Sequence, residues 1–286
     1  MKLIMLPTDF SDNASMALRF TIQLCEELQA GLIVYHCSHL SGLSTPHDLS
    51  QDAIQTMVTQ DEKTKQGRLV EQVKEIYASL GITGIPSSTK VVVEFNPVLV
   101  EAIVDYAEKN KVDLLVTGTH GASGLEKFFF GSNTSHLILK SAVPVLAIPE
   151  KYSGTSLKNI CFSSDLDNIK AELDQLMPVA RALKASLSIV YFDYGIDLKH
   201  QLVHSTQELL KQPGYASVTL AVQKATLELP LVKQIKKYLD IKRPDCLVMF
   251  TRERSLWDRL LLGSKTEDMS ESLDMPLLSF KKASVE

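Results

Sequence analysis

The sequence predicts an α/β fold in two tandem copies, each a parallel sheet wound with helices on both sides. Three observations predict it. Through residues 1–150, short apolar runs of strand length alternate with stretches whose apolar residues recur at helical spacing. Beyond residue 157 a set of landmarks returns in the same order. The length, 286 residues, lies where a single core tends to split into two.

In the first copy, Lys2 to Leu6 is an apolar run stopped by Pro7-Thr8-Asp9, which reads as a strand and its turn. Asn13 to Leu28 follows with Ala17, Leu18, Phe20, Ile22, Leu24 and Cys25 at helical spacing, and Gly31 ends it. Leu32 to His36 is a second strand, apolar throughout as a strand covered on both faces must be. His39 to Pro46 reads as loop, and Asp48 to Leu80 as a polar helical stretch. Val91-Val92-Val93 is a third strand. Pro97 suits a first helical turn, ahead of Leu99, Ile103, Tyr106 and Ala107 on one helix face. Val112 to Thr117, Ser132 to Lys140 and Val143 to Ile148 complete the copy as strand, helix and strand.

Asn159 to Asp165 restates the opening strand and its terminal Asp, and Leu187 to Tyr191 restates the second strand. Pro244 to Met249 matches Val112 to Thr117, Leu262-Gly263-Ser264 matches Phe130-Gly131-Ser132, and Asp274 to Phe280 matches Ala142 to Ile148. The expected domains are therefore residues 1–150 and 157–286, joined by a Ser/Gly/Thr-bearing linker from Glu150 to Leu157 across which few contacts are expected. Asp9 and Asp113 lie 104 positions apart, Asp165 and Asp245 only 80, so the second copy is shortened around its polar helical segment.

Hydrophobic residues make up 45% and charged residues 22%, which is globular rather than disordered composition. A net charge of -4 without a long basic run gives no support for binding nucleic acid or an anionic membrane surface. No apolar stretch reaches the roughly 18 residues of a membrane span and the N-terminus lacks a signal-peptide core, so a cytoplasmic protein is expected. Cys25, Cys37, Cys161 and Cys246 are scattered within apolar strings and read as reduced core residues.

Chemistry concentrates in one segment: Gly118-Thr119-His120-Gly121, nine residues, then Gly131-Ser132, between a predicted strand and a predicted helix. Glycines admit close approach of backbone N–H groups to a phosphate, and a helix N-terminus adds the positive end of its dipole and a hydroxyl donor. Glycines that merely permit a tight turn are the alternative. Because ligands of open α/β sheets bind beyond the carboxyl ends of strands, Pro7-Thr8-Asp9 and this loop should meet the same ligand. His120 could touch phosphate or simply be exposed. His36-Cys37-Ser38-His39 invites a metal reading, but strand alternation points His36 and Cys37 to opposite faces. No P-loop lysine, nucleophile elbow or H-E-x-x-H is present.

Pro7-Thr8-Asp9-Phe10-Ser11, Tyr35-His36-Cys37, the G-x2-G-x9-G-[ST] loop and Pro144-Val145-Leu146 together resemble the ATP-binding branch of the universal stress protein family over most of residues 1–150. The resemblance implies a five-stranded parallel-sheet, Rossmann-like, adenine-nucleotide-binding domain. It implies that Asp9 and Cys37 lie near adenine, Pro7 and Gly118 near ribose, and Gly121, Gly131 and Ser132 near phosphates, with Thr8, His120 and Asn133 in the same binding set. ATP is the implied ligand, with Mg²⁺ carried on its phosphates. Cys37 replaces an aliphatic residue, and Phe95-Asn96-Pro97 replaces the family's glycine-x-proline. Single-domain relatives resemble pairs joined through their final strands. That implies an internal pseudo-dimer with Val143 to Ile148 beside Pro276 to Phe280, besides a possible homodimer and an unidentified protein partner.

The second copy lacks the cradle. Aligned on Gly263-Ser264, Gly118 becomes Phe250 and Gly121 becomes Glu253, so a bulky ring and a carboxylate stand where a triphosphate would lie. Asp165 reads there as a fold remnant or helix cap, and Arg252 and Arg254 as surface charges. Three functions stay open: a nucleotide-binding stress-response regulator, a weak ATPase or other adenylate-handling enzyme, and an interaction module that binds no nucleotide.

Overall fold

Why the first half folds as it does is visible in β1 (Leu3–Pro7), whose alternation sends Ile4 and Leu6 to one hydrophobic cluster and Met5 to the other. A strand fully buried on both faces needs helices on both. They are supplied in order by α1 (Asp12–Leu28), β2 (Gly31–Ser38), α2 (Gln51–Ser79), β3 (Thr89–Phe95), α3 (Leu99–Lys109), β4 (Leu114–Gly118), α4 (Ser132–Lys140) and β5 (Val145–Ile148). The second half continues with β6 (Asn159–Ser163), α5 (Ile169–Ala182), β7 (Ser186–Asp193), α6 (His200–Leu210), a 3-10 turn (Pro213–Tyr215), β8 (Val218–Lys224), α7 (Leu231–Lys242), β9 (Cys246–Thr251) and β10 (Leu277–Lys281). The computed structural model describes residues 1–39, 50–119, 132–195, 200–251 and 274–282. Among these residues no helix is long and apolar enough to cross a membrane.

All ten strands form one sheet in the order β3-β2-β1-β4-β5-β10-β9-β6-β7-β8. Among the described residues pairing is parallel within each half and antiparallel at the seam, where Leu277, Leu278 and Ser279 oppose Ala147, Leu146 and Val145. The buried Ser279 hydroxyl also donates across the seam to Val145 O, 3.2 Å. Both hydrophobic clusters contain residues of both halves, so neither sheet face is interrupted at the seam.

Two predicted strands begin later than their apolar runs suggest. β4 starts at Leu114 because Asp113 serves another purpose: its carboxylate accepts from Lys2 N at 2.6 Å and Leu3 N at 3.0 Å, capping the start of β1. β5 starts at Val145 because Pro144 has no N–H for the ladder, although its carbonyl accepts from Leu115 N, 2.9 Å. Asp245 repeats the capping device on Lys158 N and Asn159 N at 2.9 and 2.8 Å. Non-glycine residues with left-handed backbone also come in corresponding pairs, Phe10 with Leu166, Gln29 with Lys184, and Lys111 with Arg243. Even where sequence identity is lost, the two halves make the same turns.

The linker is not bare. The Tyr152 ring packs edge-on against Phe20 of α1 at 5.8 Å, and Lys158 joins Glu27 of α1 to the carbonyl of Leu183 behind α5. Contacts therefore cross where few were expected. The shortening of the second half falls where the sequence places it: α2 has 29 residues and α6 has 11.

Candidate functional site

In the first half, β1 is flanked by β2 on one side and β4 on the other, so the chain reverses its direction of sheet growth between β1 and β4. The crevice beyond the carboxyl ends of two such strands is where open α/β sheets accept ligands. Carrying the Met5–Leu115 register forward brings Thr8 level with Gly118, and carrying Pro7–Tyr35 forward brings Asp9 level with Cys37. Pro7, Thr8, Asp9, Cys37 and Gly118 thus converge on one crevice.

Its floor is a fixed turn. Thr8 N donates to Tyr35 O at 2.8 Å, Phe10 N to the Thr8 hydroxyl at 3.3 Å, and Ser11 N to the Asp9 carboxylate at 3.0 Å. Phe10 takes φ 66°, the left-handed region that non-glycine residues enter only when held there. Ser11 then caps α1 by accepting from Ala14 N, 3.2 Å.

Gly118 is glycine for a packing reason as well. A Cβ there would stand 3.0 Å from the Cγ and Oδ1 of Asn13, closer than ordinary side-chain contacts allow. Its carbonyl accepts from Thr134 Oγ1 at 2.8 Å, which ties the first turn of α4 to the end of β4. Ser132 and Asn133 begin that helix and are exposed, at the end of the helix where N–H groups lack intrahelical partners. His120, Gly121 and Gly131 lie outside the described residues, as do Arg252, Glu253, Arg254, Gly263 and Ser264.

His36 and Cys37 point to opposite faces. The Cys37 thiol donates to Asn96 O, 3.4 Å, and burial pushes its pKa up, so it is a packed thiol rather than a reactive one. His36 packs beneath Phe10, ring centroids 4.5 Å apart, and the Arg68 guanidinium of α2 lies over the same Phe10 ring at 4.4 Å. Further along α2, Asp61 accepts a short hydrogen bond from the buried Ser38 hydroxyl, which also accepts from Lys65 at 3.0 Å. Burial opposes ionisation of Asp61, but the Ser38 and Lys65 hydrogen bonds outweigh it and hold the carboxyl below its ordinary range. Glu62 accepts from Phe95 N, 2.6 Å. The contacts of Asp61, Glu62, Lys65 and Arg68 fasten α2 across the ends of β1, β2 and β3. Sequence reading missed this wall, although Asp61, Glu62, Lys65 and Arg68 at helical spacing were its visible trace.

The second half has the same switch point between β6 and β9, and there its own side chains pack against one another. Phe250 lies 5.0 Å from Phe280 with planes 13° apart and 5.3 Å from Phe162. Asp165 is not a helix cap, since Asn168 takes the N-cap of α5; it keeps the fold's strand-end turn, accepting from Asp167 N at 3.1 Å, and takes part in an ion pair as well. Its carboxylate meets the Lys282 ammonium at 3.2 Å, and the same ammonium meets Glu172 at 2.6 Å, with Glu172 side chain 3% exposed and Lys282 8%. Ser164 completes the group by donating to Glu172, 2.9 Å. Lys282 is a further residue that sequence reading missed, since it is distant in sequence from both carboxylates.

Comparison with known proteins agrees with this geometry. The profile described as the universal stress protein family matches residues 1–149. The universal stress protein MJ0577 of Methanocaldococcus jannaschii is 26% identical over 171 residues, covering 53% of this chain and 97% of that one. A second protein of that organism, MJ0531, is 28% identical over 148 residues, 51% of this chain and 81% of its own. The crystal structure of a universal stress protein from Archaeoglobus fulgidus superposes with TM-score 0.68 at 18% identity, covering 98% of both chains, so the likeness of fold runs through both halves. With the profile spanning more than half of the sequence and the fold shared end to end, this chain belongs to the universal stress protein family.

Proposed function

We propose that this chain is a cytoplasmic stress-response regulatory or protective protein that binds one ATP, in its first half, and none in its second. The observation that carries the reading is the contrast between equivalent crevices at the two switch points. Around the Asp turn that both share, one presents an exposed helix start and a packed glycine; the other holds a buried lysine, two carboxylates and stacked phenylalanines.

The residues present fit the group. The exposed first turn of α4 at Ser132 and Asn133 offers N–H donors to phosphate, and Asp9 with the backbone near Cys37 offers polar atoms to the base. His120, Gly121 and Gly131 complete the proposed binding set. Mg²⁺ would arrive on the phosphates, needing few protein oxygens. The boundaries follow as residues 1–150 for the binding domain and 157–286 for the degenerate one.

Calorimetric titration with MgATP is the test: one site per chain is expected, and two equivalent sites would remove the contrast on which the reading rests. Gly121→Glu, which imports the residue of the second half, should abolish binding while the chain stays folded. The β5–β10 pairing supports an internal pseudo-dimer. Cutting the chain near Gly154 should then leave fragments that reassociate in light scattering; a monomeric first half with no affinity for the second would overturn that part.

A further inference from the structure

Helix α2 and the strand-end turn of the first half meet at one buried imidazole that no binding set includes. Its Nδ1 lies 2.8 Å from Thr8 O. A carbonyl only accepts, so Nδ1 carries the proton and Nε2 is left as a bare acceptor. Nε2 is buried and has no hydrogen-bond partner among the described residues, and the residue is 8% exposed. Since Thr8 N is already held by Tyr35 O, the imidazole pins the second polar group of the same residue.

We propose that His36 is a positioning residue for the ligand of the first-half crevice, and that it makes binding there sensitive to acid. The proposal rests on the nucleotide reading. His36 orients the Thr8–Asp9 peptide from which the Asp9 side chain springs, and through Phe10 it joins that turn to Arg68 on α2.

The second half is an internal control. It keeps the turn in full: Leu166 has φ 65°, Leu166 N donates to the Ser164 hydroxyl at 3.0 Å, Asp167 N to Asp165 at 3.1 Å, and Ser164 N to Val190 O at 3.2 Å. By strand register the residue in place of His36 is Tyr191, and Leu166 has no ring to stack. Folding this turn therefore requires no imidazole; what the first half adds is a link from the turn to α2.

Protonation breaks the arrangement. A proton on Nε2 would need an acceptor where the described residues offer none, and would place a cation near Lys65 and His39, with Arg68 across Phe10. Among the described residues Asp61 is the acidic group acting on the ring, and it is engaged with Ser38 and Lys65. Burial lowers the His36 pKa, and the Thr8 hydrogen bond opposes that only in part. The sign follows: with the folded pKa below the ordinary value of 6.5, the contact is at full strength above that pH and is lost as the pH falls through the folded value. An imidazolium that reaches water or draws Asp61 from Ser38 loosens α2 and frees the Thr8–Asp9 peptide.

The test uses the full chain, wild type and His36→Phe, titrated with MgATP at pH 7.5 and 5.5. Wild-type affinity should fall on acidification by about two- to five-fold more than that of His36→Phe, short of tenfold because a ligand-free pKa below 6.5 lies less than one unit above the lower pH. His36→Phe should also bind several-fold more weakly at pH 7.5. In the wild-type chain without ligand, ¹⁵N NMR should find the neutral Nδ1–H tautomer, with the amide signals of Asp9, Phe10 and Ser11 following the His36 titration and those of Asp165 to Asp167 not. An Nε2–H tautomer, unmoved Asp9 to Ser11 amides, or equal pH profiles for the two proteins would overturn the assignment. If the wild-type chain takes no ATP at pH 7.5, the nucleotide reading falls, and the amide signals decide the role of His36 by themselves.

Discussion

The crevice between β1 and β4 and the crevice between β6 and β9 share a backbone and differ in what fills them. Both have a left-handed residue after the strand-end Asp and the same order of strands, and at the opposite strand ends of each half an Asp caps a strand start. In one, glycine at position 118 leaves room for Asn13 and the helix start beyond it is exposed; in the other, Phe250, Lys282, Glu172 and Asp165 fill the space. Turn geometry is set by backbone hydrogen bonds that many sequences satisfy. Capacity for a ligand is set by a few side chains, and can be lost without disturbing the frame.

The largest effect should come from opening the filled crevice. Lys282→Met leaves Glu172 buried without its cation, which costs about 3–5 kcal/mol in urea unfolding, whereas a Lys282→Met, Glu172→Leu double change recovers most of the loss. The corresponding first-half position, Glu150, is exposed, and Glu150→Gln should alter stability by less than about 0.5 kcal/mol. Equal costs at the two positions would mean the crevices are not as different as they look.

Closing the open crevice should cost less. Gly118→Ala drives a methyl group into Asn13 and should destabilise by about 1–3 kcal/mol, with part of the cost relieved by Asn13→Ala in the same chain. Smaller again are the strand caps. Asp113→Ala and Asp245→Ala each remove an acceptor from two backbone N–H groups and should each cost about 1–2 kcal/mol, equal to one another if the frame is truly repeated. Smallest are the left-handed pair: Gln29→Gly and Lys184→Gly should each stabilise by about 0.5 kcal/mol, since relief of a left-handed side chain slightly exceeds the added chain entropy. Thermal unfolding of each pair side by side checks both.

Much of the frame is legible in the sequence because it is local. Val34 and Leu115 stand in apolar runs that only a two-sided sheet can bury, and Asp113 and Asp245 open matching strings. β8 is harder to read, because as an edge strand it exposes Thr219, Val222 and Lys224 and lacks a continuous apolar run. What fills or furnishes a crevice is least legible. Lys282 meets Asp165 across 117 positions, and the role of His36 depends on a carbonyl 28 residues away and a ring in the left-handed region. Pattern reading registers residue type and spacing; it does not register which of two nitrogens faces an acceptor.

The seam between β5 and β10 joins strands of a single polypeptide. Two separate chains held by so short a pairing would part on dilution and trade partners, and their stability would track their concentration. A linker that spans the gap instead holds the second strand at an effective concentration on the order of millimolar, whatever the dilution. Across this seam the half with the open crevice meets the half built around Lys282, and that asymmetry is inherited with every copy of the chain rather than assembled anew.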